Sequence, residues 1–301
     1  MNDHSASTQY LTVTGVLHPD NRLVLEPGFL TSVPDHVVED KQSALVAELF
    51  NDDGKVLLRY GVFFVRPCAD GVAVAERIVA SKIPFPTATR MIRFLLDGVV
   101  IHELEVSRSA PVVSLIWDPA QGTEGYQRIR WSSEHATGRE MQYLLSYSHD
   151  DGRSWQPLSL PTADLERDVD FRRLPGGRRC RLRVLATDGV NTSAALSQPF
   201  RRPTQPCYAM ILSPEDKATF DEGELIRFQG QGFYLEERQP EFELLDWSSS
   251  LSGPLGRGGL LELGDLSPGS HEITLTVGRE GRVGTTRVTV QVRRASRDAD
   301  E

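Results

Sequence analysis

Apolar and polar residues alternate with a period of two along most of this chain. Leu11-Thr12-Val13-Thr14-Gly15-Val16, Leu182-Arg183-Val184-Leu185-Ala186, Ile273-Thr274-Leu275-Thr276-Val277 and Val288-Thr289-Val290-Gln291-Val292 show it most plainly. Such alternation predicts strands with one face in a core and the other in water, the mark of antiparallel sheets. Between the runs lie the hairpin signals Asp52-Asp53-Gly54, Asp97-Gly98, Asp150-Asp151-Gly152 and Asp188-Gly189, whose glycines accept the positive φ of tight turns. In the first third this places strands near 9–17, 22–30, 44–50, 55–65, 72–80, 89–96 and 99–106. The most helix-like stretch, 37–50, lacks a capping residue and reads as a loop followed by a strand from Ala44. Two proline-bearing segments, Ser107-Arg108-Ser109-Ala110-Pro111 and Arg201-Arg202-Pro203-Thr204-Gln205-Pro206, each precede a fresh strand and read as stiff joints. The expectation is an all-β chain with little helix. It comprises three tandem antiparallel β-sandwiches over 1–108, 109–203 and 204–294, with a flexible tail over 295–301.

In the middle unit, Trp131 follows Ile129 on one strand, a strand Gln142 to Ser148 and Trp155 come next, and Leu174-Pro175-Gly176-Gly177 leads into Cys180-Arg181-Leu182-Arg183-Val184-Leu185-Ala186. This order resembles a fibronectin type III domain, with Trp131 at the place of that family's core tryptophan. Cys180 stands where the family's corner tyrosine is usual, which implies that the corner's hydroxyl hydrogen bond is missing. The last third carries Ile211-Leu212-Ser213-Pro214-Glu215-Asp216, Phe220, Gly223, Ile226-Arg227-Phe228-Gln229-Gly230, Trp247-Ser248-Ser249, Leu255-Gly256 and Leu266-Ser267-Pro268-Gly269-Ser270-His271. It is similar to the PKD-like and Ig-like repeats in the C-terminal regions of large bacterial surface or secreted proteins, some of them metallopeptidases. Tyr234-Leu235-Glu236-Glu237-Arg238 replaces the Asp-rich turn that can hold a cation in such repeats, and no HExxH helix accompanies it, so neither calcium nor a peptidase activity carries over. The first unit joins the same class by pattern alone.

Charge then separates the units. The net charge of -9 gives no global pull toward nucleic acid or an anionic membrane, and no apolar run reaches the roughly 18–20 residues of a membrane span. Counted by segment, the net charge is −4 for 1–108, +2 for 109–203 and −7 for 204–301, which makes the middle unit the exception. Its excess comes from Arg167, Arg172, Arg173, Arg178, Arg179, Arg181 and Arg183 around a Pro-Gly-Gly turn. Alternation puts Arg179, Arg181 and Arg183 on one wet face, where guanidinium groups suit carboxylates or phosphates. The plainer alternative is a solvated face balanced by Asp164, Glu166, Asp168 and Asp170. Arg172, Arg173, Arg179, Arg181 and Arg183 are the candidate docking residues.

Ser148-His149-Asp150-Asp151-Gly152-Arg153-Ser154-Trp155 fits the Asp-box pattern S-x-D-x-G-x-T/S-W of sialidase-type propellers, where the Asp caps a turn over the Trp. A propeller repeats that box in every blade and this chain has one copy, so the box predicts a folded hairpin. Trp117, Tyr126, Trp155, Phe233 and Tyr234 are expected to be exposed near strand ends, and Trp117 with Trp155 forms a candidate sugar-stacking platform. The seven histidines show no metal spacing, most are expected at the surface or in turns, and no nucleophile elbow or phosphate loop is present. Cys68, Cys180 and Cys207 are odd in number and leave at least one free thiol. No cofactor is implied. The start lacks a signal peptide's basic and apolar regions, which fits a cytosolic chain if Met1 is the natural start and a piece of an exported protein if it is not.

The reading is a non-catalytic scaffold that docks a protein partner, such as a larger peptidase or surface assembly, through sandwich loops and the arginine face. The alternatives are a carbohydrate-binding accessory module, with a glycan partner, and a hydrolase with an unrecognised site. Neither a nucleic-acid partner nor membrane insertion is expected.

Overall fold

A computed structural model of the protein describes residues 8–32, 39–65, 68–69, 72–73, 75–236, 241–242, 244–279 and 281–294. The expected tail over 295–301 lies outside the described residues, as do His4, His36, Glu237 and Arg238.

The described residues of the first third form eleven strands: β1 (Gln9–Leu17), β2 (Leu23–Leu25), β3 (Leu30–Thr31), β4 (Leu45–Phe50), β5 (Val56–Gly61), β6 (Phe64–Val65), β7 (Cys68–Ala69), β8 (Val72–Ala73), β9 (Arg77–Phe85), β10 (Met91–Leu96) and β11 (Val99–Glu105). One sheet runs β2-β1-β9-β6 with β3 also on β1, the other runs β11-β10-β4-β5, and β7 pairs β8 apart from both. The strand expected over 72–80 is therefore two elements. Alternation supplies the core, with Leu11, Val13, Val79 and Ile83 from one sheet and Ala47, Leu49, Ile92 and Phe94 from the other.

The middle third contributes β12 (Val112–Ile116), β13 (Tyr126–Glu134), β14 (Gln142–Ser148), β15 (Gln156–Pro157), β16 (Glu166–Asp170), β17 (Gly177–Thr187), β18 (Thr192–Leu196) and β19 (Phe200–Arg202). They form sheets β12-β13-β16 and β15-β14-β17-β18, with β19 on the start of β17. Trp131, Leu145, Tyr147, Leu182 and Val184 pack between them. Two single 3-10 turns, Pro119–Gln121 and Phe171–Arg173, are the only helical elements among the described residues.

The last third holds β20 (Tyr208–Ser213), β21 (Ala218–Asp221), β22 (Ile226–Phe233), β23 (Leu245–Ser249), β24 (Gly253–Arg257), β25 (Leu260–Leu263), β26 (Gly269–Arg279) and β27 (Arg282–Arg293), in sheets β20-β22-β25 and β21-β27-β26-β23-β24. The chain changes sheets after Pro214, and β21 lies parallel to β27, a departure from the antiparallel expectation. Phe228, Trp247, Leu275 and Val290 fill this core. His271 is fully buried there, with Nδ1 2.7 Å from the Ser249 hydroxyl and Nε2 2.6 Å from the Ser267 carbonyl oxygen. It is an exception to the expectation that most histidines lie at the surface or in turns: two hydrogen bonds satisfy a ring that would otherwise be costly to bury.

Two joints connect these sheet pairs. At the first, Val190 from the β17–β18 turn is buried in the first core. Gly28 N donates to Gly189 O at 3.0 Å, Thr187 Oγ1 donates to Gly28 O at 2.6 Å, and Leu30 N donates to Thr192 Oγ1 at 2.8 Å. Asn191 Nδ2 donates to the linker carbonyl of Ser107 at 2.9 Å, while buried His135 lies with Nε2 3.2 Å from buried Asp188 and 3.1 Å from Ser109 O. At the second joint, Glu236 accepts from Gly176 N at 3.0 Å and Gln205 N at 2.9 Å and pairs with Arg282 at 2.8 Å. Gly176 is required for that fit, since a β-carbon there would stand 2.0 Å from the Pro203 carbonyl oxygen.

Candidate functional site

The Asp-box segment forms the turn between β14 and β15. Asp151 takes φ 63° and Gly152 takes φ 86°, the left-handed conformations that Asp and Gly tolerate best. Asp150 Oδ1 accepts from Ser154 N at 2.9 Å and from the Ser148 hydroxyl at 2.8 Å, and its Oδ2 accepts from the Ser154 hydroxyl at 2.7 Å. Ser148 Oγ in turn accepts from Gly152 N at 2.8 Å. Partial burial pushes the Asp150 carboxyl upward, but these hydrogen bonds outweigh it and bring its pKa down to about 2. The Trp155 ring lies under Gly152, where an added β-carbon would be 3.2 Å from it. The box is thus a closed structural turn, with both Asp150 oxygens and the Ser148 hydroxyl oxygen accepting from its own residues.

The neighbouring residue, Asp151, faces the arginines. Its two carboxylate oxygens each accept a hydrogen bond at 2.6 Å, one from Arg179 Nε and one from Arg181 Nε, and these guanidinium groups hold its carboxyl below the usual range. Asp151 N also donates to Arg179 O at 2.9 Å, which fastens the turn to β17. Arg183, one step further along the same face, is only partly exposed: its guanidinium carbon sits 4.1 Å from the Trp155 ring centre. Burial pulls the Arg183 pKa down, and its Nε makes no hydrogen bond among the described residues. Arg183 is therefore part of the support of the turn, held by a cation–π contact.

Alternation placed Arg179, Arg181 and Arg183 on one face, opposite buried Cys180, Leu182 and Val184. The acidic residues expected to balance them do so elsewhere. Glu166 and Asp168 lie on β16 in the opposite sheet and pair with Arg130 and Arg128 of β13 at 3.0 and 2.8 Å. Asp170 binds Arg172 at 2.8 Å and lies 3.6 Å from Arg173, so these two candidates sit at the end of the other sheet. Asp151 is the counter-charge the sequence reading missed. Its position in a turn two strands of sequence away gives no signal short of the β14–β17 register, which sets Ser148 opposite Arg181. Arg153 and Arg178 are exposed and make no ion pair to a described residue. Positive charge thus exceeds negative charge around Asp151.

The platform of Trp117 and Trp155 is not assembled. Trp117 is 9% exposed and packs on Phe171 and Phe200 with ring centres 5.8 and 5.2 Å apart, so it belongs to the core. Tyr234 is also buried, at the second joint, with the Arg282 guanidinium 5.0 Å from its ring centre, and Phe233 is half-buried. Tyr126 is exposed as expected, and Arg172 stacks on it at 4.9 Å.

The corner of the middle unit is rebuilt from other residues. Tyr147 of β14 donates its hydroxyl to Pro175 O at 2.5 Å, from beside Cys180, and burial pushes its pKa well up. Buried Arg202 donates to Thr123 O at 3.1 Å, Leu174 O at 3.0 Å and Pro175 O at 3.2 Å, and to Phe171 O. The missing corner hydroxyl is thus supplied across the sheet. Cys180 and Cys207 are both buried free thiols. Among the described residues no group of three or more His, Cys, Asp and Glu side chains is placed to hold a metal ion, and no helix is long and apolar enough to cross a membrane.

No protein-family model matches the sequence, and no curated protein matches it. Solved structures do resemble the fold. The full ectodomain of mouse nectin-like molecule 4, Ig1 to Ig3, is 10% identical with a TM-score of 0.29, covering 96% of this chain and 96% of that one. The fibronectin(III)-like modules of Clostridium thermocellum CbhA are 11% identical with a TM-score of 0.27, covering 59% of this chain and 90% of that one. The complex of Dpr2 Ig1-Ig2 with DIP-Theta Ig1-Ig3 gives 10% identity and a TM-score of 0.28, covering 96% and 95%.

Proposed function

We propose that this chain is a non-catalytic docking scaffold whose arginine-rich face on β17 receives an acidic protein surface. One observation carries the reading: a single carboxylate, Asp151, serves two guanidinium groups, beside Arg153 and Arg178, which pair with no carboxylate among the described residues. Such a face keeps donors for a partner's carboxylates, and the side chains already held in place lose little entropy on binding. Sandwich scaffolds commonly bind through surfaces displayed on rigid sheets, and the three units divide at the proline-bearing segments near 108 and 203. Arg172 and Arg173, already committed to Asp170 on the other sheet, form at most a second, separate contact.

The test is affinity capture from native lysate with the wild type and with Arg178→Glu/Arg179→Glu, followed by mass spectrometry. Arg183 is left intact because it supports Trp155. Retention of a stoichiometric partner by the wild type, lost in a variant with an unchanged melting temperature, supports the reading. Equal capture by both proteins, or capture of nothing by either, overturns it.

A further inference from the structure

A cavity of about 220 Å³ opens between the two sheets of the first unit, and Gly189 of the middle unit contributes to its lining. One wall is formed where the register of β10 on β11 is irregular. Phe94 pairs with His102 but Leu95 pairs with Val100, so Ile101 is an extra residue in β11. A bulge of this kind re-aims the side chains beside it. Cross-strand partners share a face, so His102 points inward with the fully buried Phe94, their rings 6.1 Å apart. The remaining apolar wall comes from Leu11, Val13, Leu25 and Leu104, and Glu26 stands exposed at the rim. Neither the Glu26 carboxylate nor the His102 imidazole makes a hydrogen bond or ion pair to a described residue. The first joint closes one end through the Gly28 to Gly189 hydrogen bond at 3.0 Å.

We propose that this cavity is a binding site for a small aryl or branched-alkyl ammonium group. Size fixes the apolar part: an apolar cavity of about 150 Å³ accommodates benzene, so this one takes a benzene-sized group with a short arm. The rim fixes the head group, because a carboxylate with no partner among the described residues favours a cation. A carboxylate ligand would meet Glu26 with like charge. The site is separate from the arginine face and does not depend on the docking reading.

The full chain should be titrated with benzylamine, benzyl alcohol and benzoate, reading the methyl resonances of Leu11, Leu25 and Leu104. Benzylamine should shift these methyls and bind about five-fold more tightly than benzyl alcohol, with benzoate weakest, as one exposed charge pair allows. Glu26→Gln should erase the preference for the amine while leaving benzyl alcohol binding unchanged. Leu104→Trp should fill the space and abolish binding of all three, and Leu25→Phe tests the same at the rim if Leu104→Trp does not fold. Methyl resonances unmoved by every probe, or benzoate binding as well as benzylamine, overturns the proposal.

Discussion

At the scale of single residues, the middle unit is held by polar side chains that stand in for one another. Asp150 is the clearest case, since three hydrogen bonds to one carboxylate close the turn. A carboxyl whose folded pKa lies below its unfolded value of about 3.9 contributes stability in full above that value and loses it as pH falls through the folded value. For Asp150 the folded value is about 2. Asp150→Asn should therefore be destabilising at neutral pH, by about 1 kcal/mol once exposure is allowed for. Urea melts should show the gap to wild type closing between about pH 4 and about pH 2; a gap independent of pH would show that the charge contributes nothing. The corner gives a second comparison. Tyr147→Phe removes one donor from Pro175 O, which Arg202 still serves, and should cost about 1 kcal/mol. Arg202→Met strips the side-chain donor from the Thr123, Leu174 and Phe171 carbonyls and one of two from Pro175 O, and should cost about 3 kcal/mol or more by the same measurement. Equal losses would contradict the division of labour proposed for them.

At the scale of elements, the β17–β18 hairpin joins two hydrophobic cores. Its strands pair inside the middle unit, while its tip residue Val190 is 1% exposed within the first core. Asp188 Oδ1 shapes that tip by accepting from Val190 N and Asn191 N at 3.1 and 2.8 Å. Val190→Ala should cost about 1–2 kcal/mol through the cavity it leaves. The loss should be read out in the first unit, as faster amide exchange in β1 and β10 with β26 unaffected. Exchange accelerated only in β17 and β18 would show that the tip does not stabilise the first core. The strands themselves were legible because period-two alternation is a local property: Leu11 and Val13, or Cys180 and Leu182, point inward as the pattern requires. What alternation does not encode is which strand lies beside which. For that reason the sequence points to Asp164, Glu166, Asp168 and Asp170 as counter-charges of the arginine row, whereas the last three lie on the opposite sheet and Asp151 makes the pairs. The same limit hid Tyr147 behind Cys180, and it left Trp117 to be read as exposed although it packs on Phe171 and Phe200.

At the scale of the whole molecule, the joints are fixed less by proline than by hydrogen bonds that sequence could not assign. The linker carbonyls of Ser107 and Ser109 meet Asn191 and His135, and at the second joint Glu236 ties the Leu-Pro-Gly-Gly turn to the start of the last unit. Burial raises the Glu236 pKa, but the amides of Gln205 and Gly176 and the Arg282 guanidinium lower it further, so the net shift is downward. The clamp is accordingly complete above the normal glutamate range and weakens only as pH falls through the lower folded value. Glu236 also explains why Tyr234, expected at the surface, is covered: Arg282 reaches the carboxylate across its ring. A docking scaffold needs its surfaces at fixed separations, because several weak contacts add only when geometry lets them engage together. Glu236→Ala would leave two amides unpaired and Arg282 without its carboxylate, whereas Glu236→Gln keeps one acceptor oxygen for the two amides and loses the charge and the second oxygen, which accepts from Arg282. Paramagnetic labels in the second and third units should report a broadened distance distribution for Glu236→Ala, a smaller broadening for Glu236→Gln, and unchanged melting of either unit. If Glu236→Ala leaves the distribution as narrow as in wild type, the joint is held by packing around Gly176 and Tyr234 alone, and the carboxylate has no part in setting the spacing.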